Sequence, residues 1–111
     1  MASIRQEKIN GIIQEELSKI FQQESRSICL GAMVTVTTVR VSPDLSTAKI
    51  YVSIFGGKDN EATFESIKEN GKQVRHRLSQ ITRHQLRRVP ELTFYVDDSL
   101  DYANKIDELL K

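Results

Sequence analysis

Residues 48–55 alternate without a fault. Ala48, Ile50, Val52 and Ile54 take one parity, and Lys49, Tyr51, Ser53 and Phe55 take the other. Successive side chains of a strand point to opposite faces, so this run describes a strand with one apolar face and one left to water. The preceding run, Met33–Val41, is as rich in β-branched residues but breaks parity: Val34 and Val36 share one face, Val39 and Val41 the other. One extra residue near Thr37 and Thr38, a β-bulge, restores a common face. The connector V-S-P-D-L-S has Pro43 and Asp44 at its centre. Pro presets φ for a turn, and Asp can bond its own backbone there. The two runs are therefore predicted to pair as an antiparallel hairpin with one buried face, which the rest of the chain must cover.

Helical periodicity supplies the cover. Ser3 and Gln6 have capping-box spacing, and Ile9, Ile12, Ile13, Leu17, Ile20 and Phe21 follow at helical intervals. They predict a first helix from about Ser3 to Gln23. After the hairpin, Gly56 and Gly57 stop the strand, and Asp59 or Asn60 can cap the next helix. Phe64, Ile67, Val74, Leu78 and Ile81 then form one apolar stripe, with Gly71 on it beside Asn70. Glycine inside a helix costs roughly 1 kcal/mol relative to alanine, so Asn70–Gly71 is expected to mark a kink or a close backbone approach. Pro90 is expected to end the helical region, and Leu92, Phe94 and Val96 to alternate as a third strand. A last short helix can start at Asp98 or Ser99 and bury Leu100, Ile106, Leu109 and Leu110. The expectation is a single α+β domain over residues 1–111, with helices on one face of a three-stranded sheet.

Hydrophobic residues make up 39% of the chain and charged residues 28%, which places it among ordinary soluble domains. The net charge of +1 hides a segregation. Lys72, Arg75, Arg77, Arg83, Arg87 and Arg88 follow one another with no acidic residue between them, whereas Asp97, Asp98, Asp101, Asp107 and Glu108 crowd the end. Asp98 and Asp101 suit a helix N-terminus; Asp107 and Glu108 do not. Helical ion pairs interleave signs, so an all-basic stretch is less readily explained as a solvated face. Its guanidinium groups can grip phosphate oxygens bidentately. These six residues are the candidate nucleic-acid-contacting set, with Arg5 and Lys8 of the first helix as the alternative surface.

Catalytic and metal chemistry find no footing. His76 and His84 stand eight apart, about 12 Å along a straight helix, too far to share one ion. Cys29 is the sole cysteine, so it has no zinc partner and can form no intrachain disulfide, which fits a reducing cytosol. Asp44 reads as a turn residue rather than an acid or base. No P-loop, metalloprotease helix or nucleophile elbow is present. The charged N-terminal pattern lacks the apolar run of a signal peptide, and no segment has the length of a membrane span. A cytoplasmic protein without cofactor, metal, membrane or small-molecule substrate is expected.

Three segments go further. T-V-R-V-S-P-D-L-S-T-A-K-I-Y-V-S (residues 38–53), G-K-Q-V-R-H-R-L (71–78) and L-R-R-V-P-E-L-T-F-Y-V-D-D-S (86–99) resemble, in order and spacing, the signatures of the ribosome-binding factor A family. The resemblance covers nearly the whole chain. It implies a type II KH-like fold of order α-β-β-α-kink-α-β plus a short C-terminal helix, in which a helix-kink-helix at Asn70 and Gly71 replaces the G-x-x-G loop of other KH domains. It also implies a monomeric, non-enzymatic factor that binds the immature 30S subunit and its 16S rRNA. Support of 5′-end processing and a greater need at low temperature come with it. The chain departs from the family at Lys68-Glu69-Asn70-Gly71, where a small residue usually precedes the glycine. The competing reading is a protein-interaction module that docks through a strand edge or the acidic C-terminal helix.

Overall fold

The computed structural model describes residues 3–86 and 88–97. The elements are α1 (Ile4–Gln23), β1 (Met33–Val41), β2 (Thr47–Phe55), α2 (Asn60–Glu69), α3 (Gly71–Thr82) and β3 (Glu91–Val96). The sheet runs β1-β2-β3, with β2 antiparallel to β1 and parallel to β3. Parallel neighbours need a long crossover, and the α2–α3 pair supplies it. The expected C-terminal helix and most of the acidic end lie outside the described residues.

The parity fault in β1 is a bulge, as the sequence predicts. Val34 pairs with Ile54 and Val36 with Val52, the register shifts between Val36 and Thr38, and Val39 then pairs with Ile50 and Val41 with Ala48. Val36, Val39, Val41, Ala48, Ile50, Val52 and Ile54 consequently share the buried face, joined from β3 by Phe94. From α1 come Ile13, Leu17, Ile20 and Phe21, all buried, and Phe21 meets Phe94 edge to face at 6.1 Å. None of the described helices packs on the opposite sheet face. All the described helices cover one side, which is the α+β arrangement expected.

α1 begins with the capping box that Ser3 and Gln6 foretell: each residue's side chain bonds the other's backbone N–H. Its polar residues do something the sequence does not announce. Gln6 Nε2 donates to the Val41 carbonyl at 3.0 Å, and Asn10 Oδ1 accepts from the Val41 N–H at 2.9 Å. Gln14 Nε2 donates to the Val36 carbonyl at 3.0 Å and lies 3.3 Å from that of Thr37. Gln6, Asn10 and Gln14 recur every fourth residue and so stand in one row along the helix. That row satisfies backbone groups of the outer edge of β1, which would otherwise invite another strand.

The break between α2 and α3 falls at Asn70, whose φ of −93° and ψ of 11° lie in the bridge region. Asp59 caps α2 by accepting from the Ala62 N–H. The kink falls where Asn70–Gly71 is expected to mark it, but it does not depend on glycine's backbone freedom. Gly71 does not hold a positive φ, and a Cβ built there meets only Phe94 Cε2 at 3.7 Å, an ordinary contact.

Two boundaries also differ from expectation. α3 stops at Thr82 instead of running on toward Pro90. The N–H groups of Gln85 and Leu86 both close on the Thr82 carbonyl at 2.8 Å, which turns the chain so that Leu86, Val89 and Pro90 can return to the sheet. Ile81, expected inside, is 45% exposed, while Thr82 is fully buried. Val74, Leu78 and Thr82 form one i, i+4, i+8 ridge. The Thr82 hydroxyl donates to the Leu78 carbonyl at 2.7 Å, so burial leaves it no unmet polar group.

Gly57, unlike Gly71, has no room for a side chain. A Cβ at Gly57 would lie 2.8 Å from Ala32 Cβ and 3.2 Å from Asn60 Oδ1. Urea unfolding is expected to show Gly57→Ala destabilised by about 1–3 kcal/mol through overpacking. Gly71→Ala should be neutral or more stable by up to about 1 kcal/mol.

Candidate nucleic-acid interface

The basic stretch is not one helix face. Lys72, Arg75 and Arg77 are on α3, Arg83 follows it, and Arg88 sits on the connector to β3; Arg87 lies outside the described residues. Two of these guanidinium groups are engaged inside the fold. Arg75 Nε donates to the Pro90 carbonyl at 3.1 Å and a terminal nitrogen to that of Val89 at 2.9 Å, so this side chain holds the connector against α3. Arg77 pairs with the Glu24 carboxylate and the Gln23 amide oxygen at the end of α1. A bond from the Ser27 hydroxyl and then the Arg77 guanidinium hold the Glu24 carboxyl below its usual pKa. Both Arg75 and Arg77, counted among the candidate contacts from the sequence, thus have their charged ends occupied within the fold.

Lys72, Arg83 and Arg88 are exposed and make no hydrogen bond or ion pair among the described residues. Arg88 lines two depressions. One, of about 330 Å³, is also lined by Lys72, Arg75 and His76. The other, of about 450 Å³, lies between the start of α1, the turn after β1 and the connector. Its charged lining is Arg5, Lys8, Arg88 and Asp44, over apolar walls that include Ile9 and Leu86. The two candidate surfaces of the sequence, the basic segment and the start of α1, are thus one surface joined at Arg88. Glu7 interrupts Arg5 and Lys8 in the sequence and makes them the weaker candidates there; their i, i+3 spacing on one helix face is the signal that favours them.

Among the described residues Asp44 is the one carboxylate that lines this cleft, and it is committed to the turn. Its Oδ1 accepts from the Ser42 hydroxyl at 2.6 Å, the Ser46 hydroxyl at 2.8 Å and the Ser46 N–H at 3.1 Å. The bond from Ser42, then those from Ser46, hold its pKa down to about 2. Leu45 beside it adopts a φ of 63°, an uncommon conformation for a branched side chain, so the three bonds stabilise a strained corner. The turn reading of Asp44 holds.

Neither histidine has a ligand-forming neighbour set: His76 and His84 are exposed, and no group of three or more His, Cys, Asp or Glu side chains converges among the described residues. Cys29 is buried with its Sγ 3.5 Å from the Phe21 carbonyl, and burial, then the charge of Glu24, push its thiol up to about 11. At the kink, Asn70 Nδ2 donates to the Ser66 carbonyl at 2.8 Å, so this larger residue folds back on α2. Among the described residues no helix is long and apolar enough to cross a membrane.

Comparison with known proteins decides the family. The sequence profile of ribosome-binding factor A matches residues 5–110. The chain belongs to the ribosome-binding factor A family. It is 48% identical over 108 residues to the ribosome-binding factor A of Christiangramia forsetii, covering 96% of this chain and 82% of that one. With the ribosome-binding factor A of Chlorobaculum tepidum the identity is 45% over 111 residues, covering 98% and 90%. The fold is similar to the crystal structure of ribosome-binding factor A from Thermus thermophilus, with a TM-score of 0.68 at 22% identity, covering 82% of this chain and 94% of that one. The ribosome-binding factor A family is non-catalytic, so its members are read by what they hold rather than by what they convert.

The engaged and the free cations should respond differently to substitution. Arg75→Gln should lower unfolding free energy by about 1–3 kcal/mol, because it strips charge-assisted bonds from two carbonyls of the connector. Lys72→Gln, at an exposed and unengaged site, should stay within about 0.5 kcal/mol. For Asp44, the folded state binds its proton more weakly than the unfolded chain, whose value is near 3.8. Its contribution is therefore complete above that pH and is lost as pH falls toward about 2. Carboxyl-carbon NMR titration should place its midpoint near the lower value, and Asp44→Asn should remove that part of the acid dependence.

Proposed function

We propose that this chain binds the free or immature 30S subunit through its 16S rRNA, and does so on the surface that runs from Arg5 and Lys8 across Arg88 to Lys72. The observation that carries this reading is the junction at Arg88, which joins Arg5 and Lys8 on one side and Lys72 on the other into one tract of unengaged cations. Phosphate contacts position a protein on nucleic acid, and a tract of lysine and arginine is what supplies them. Arg83 is a further exposed cation of the same segment, while Arg75 and Arg77 serve the tract by fixing the connector and α3. A Thermus thermophilus ribosome-binding factor A has been fitted into the cryo-EM map of a 30S complex, which gives the partner class for the family.

The factor works as a cytoplasmic monomer without cofactor, metal or catalysis. It favours one conformation of the rRNA during late maturation, including the state competent for 5′-end processing, and then leaves. A binding protein shifts such an equilibrium only by its differential affinity for the two RNA states. Misfolded RNA escapes more slowly in the cold, which is where the shift matters most.

Co-sedimentation with free 30S subunits across a salt series tests the surface. Changing Arg5, Lys8, Lys72 and Arg88 together to glutamine should leave the melting temperature nearly unchanged. Every phosphate contact that the change removes should reduce the slope of log affinity against log salt by about 0.7–0.9. A variant that melts normally and binds with the original slope would place the ribosome-facing surface elsewhere.

A further inference from the structure

The sheet has a second face that none of the described helices covers. On it the register sets out four rows: Met33 with Phe55, Thr35 with Ser53, Thr38 with Tyr51 and Tyr95, and Arg40 with Lys49 and Thr93. The chain has only four Phe and three Tyr. Phe21 and Phe94 serve the core, yet Tyr51, Phe55 and Tyr95 stand on this open side. The Tyr51 and Tyr95 rings stack at 5.3 Å with an angle of 24° between them. A cross-strand aromatic pair stabilises a sheet in its own right. That explanation does not extend to Phe55, which is 64% exposed, or to Met33 opposite it, which is 66% exposed.

The charges on this face select the occupant. Arg40 is directly opposite Lys49, and like charges in that position repel. Neither finds an ion-pair partner among the described residues. The row of Arg40 and Lys49 holds no carboxylate. Glu91 lies one row beyond, beside Thr47, and Asp97, just past β3, reaches over this face to accept a hydrogen bond from Thr37 Oγ1, away from the Arg40–Lys49 row. An anion between Arg40 and Lys49 would relieve their repulsion, while flat apolar groups would cover Tyr95 and Phe55. Single-stranded RNA carries both kinds of group, phosphate and base, in alternation along one chain.

We propose that this open face, built around Arg40, Lys49, Tyr51, Phe55 and Tyr95, is a second RNA-binding surface that stacks bases of a single strand. It rests on the reading that the partner is RNA, but it is separate from the cationic tract, which lies on the helical side. Phosphates sit on the Arg40–Lys49 row and bases on Tyr95 and Phe55. Such a surface prefers unpaired RNA over a duplex, because bases stacked within a helix cannot reach the rings.

The test uses the full chain, ¹⁵N-labelled and titrated with a single-stranded oligoribonucleotide of about ten nucleotides, within the usual site range for such surfaces. Binding of 30S subunits is measured in parallel. Amide signals of Arg40, Tyr51, Phe55 and Tyr95 are expected to move. Replacing Phe55 and Tyr95 together by leucine, which keeps apolar area but removes the π faces, should weaken oligonucleotide binding by about tenfold or more. A hairpin duplex of the same length should bind the two proteins equally. If only signals around Lys72 and Arg88 move, the open face takes no RNA and this proposal falls while the cationic tract stands. If the open-face signals shift with protein concentration and not with RNA, the face is a contact between copies and the proposal falls again. Failure to bind either the oligonucleotide or 30S subunits would overturn the RNA reading itself.

Discussion

One extra residue in β1 decides what the rest of the chain can do. Without the bulge between Val36 and Thr38, Val39 and Val41 would point to the open face. Burying a valine contributes about 1.5 kcal/mol or more, so losing two would be serious for a domain whose net stability is small. The bulge also turns backbone outward, and neighbours use it. Gln14 reaches the carbonyls of Val36 and Thr37, fixing α1 along the strand edge. On the other side, Thr37 Oγ1 donates to Asp97 Oδ2 at 2.6 Å, tying β1 to the end of β3.

The position of the charged surface follows from that anchoring. Once Gln14 sets the register of α1 on β1, Gln6 and Asn10 fall on Val41, the residue before the S-P-D-L-S turn. Arg5 and Lys8 then stand over the turn. Arg75 brings the other side, because its bonds to Val89 and Pro90 keep the connector close and place Arg88 at the same cleft. Neutral amides and one internal guanidinium thus position the cations that stay free for a ligand. The number of basic residues in the segment therefore overstates the charge available outside, since Arg75 and Arg77 are already engaged within the fold.

What the sequence makes legible is whatever is periodic or local. The hairpin, its bulge, the Ser3–Gln6 cap, the break at Asn70 and the turn role of Asp44 all leave marks within a few residues of themselves. The misplacements share a cause. Arg75 and Arg77 find partners in Val89, Pro90 and Glu24, and only tertiary packing brings those groups together. Ile81 and Thr82 differ by one position on a helix in its last turn, where periodicity cannot say which ridge meets the sheet. Hydrophobicity favours isoleucine. The structure buries threonine because its hydroxyl has the Leu78 carbonyl at hand.

On the proposed function, a factor that must both hold an RNA and leave it is poorly served by charge alone. Lysine and arginine contacts to phosphate are nearly indifferent to sequence and conformation, so they favour every RNA state alike. They raise encounter rates and salt sensitivity more than they discriminate. Differential affinity requires groups that one RNA conformation can reach and another cannot. On the helical side, the walls of the Arg88 cleft can reject a strand that does not follow its shape. On the open side, Tyr95 and Phe55 would, on the inference drawn above, offer contact only to unstacked bases. A cationic tract that attracts, combined with a face that recognises unpaired bases, would let this small domain favour one immature RNA state and release it when those bases become paired.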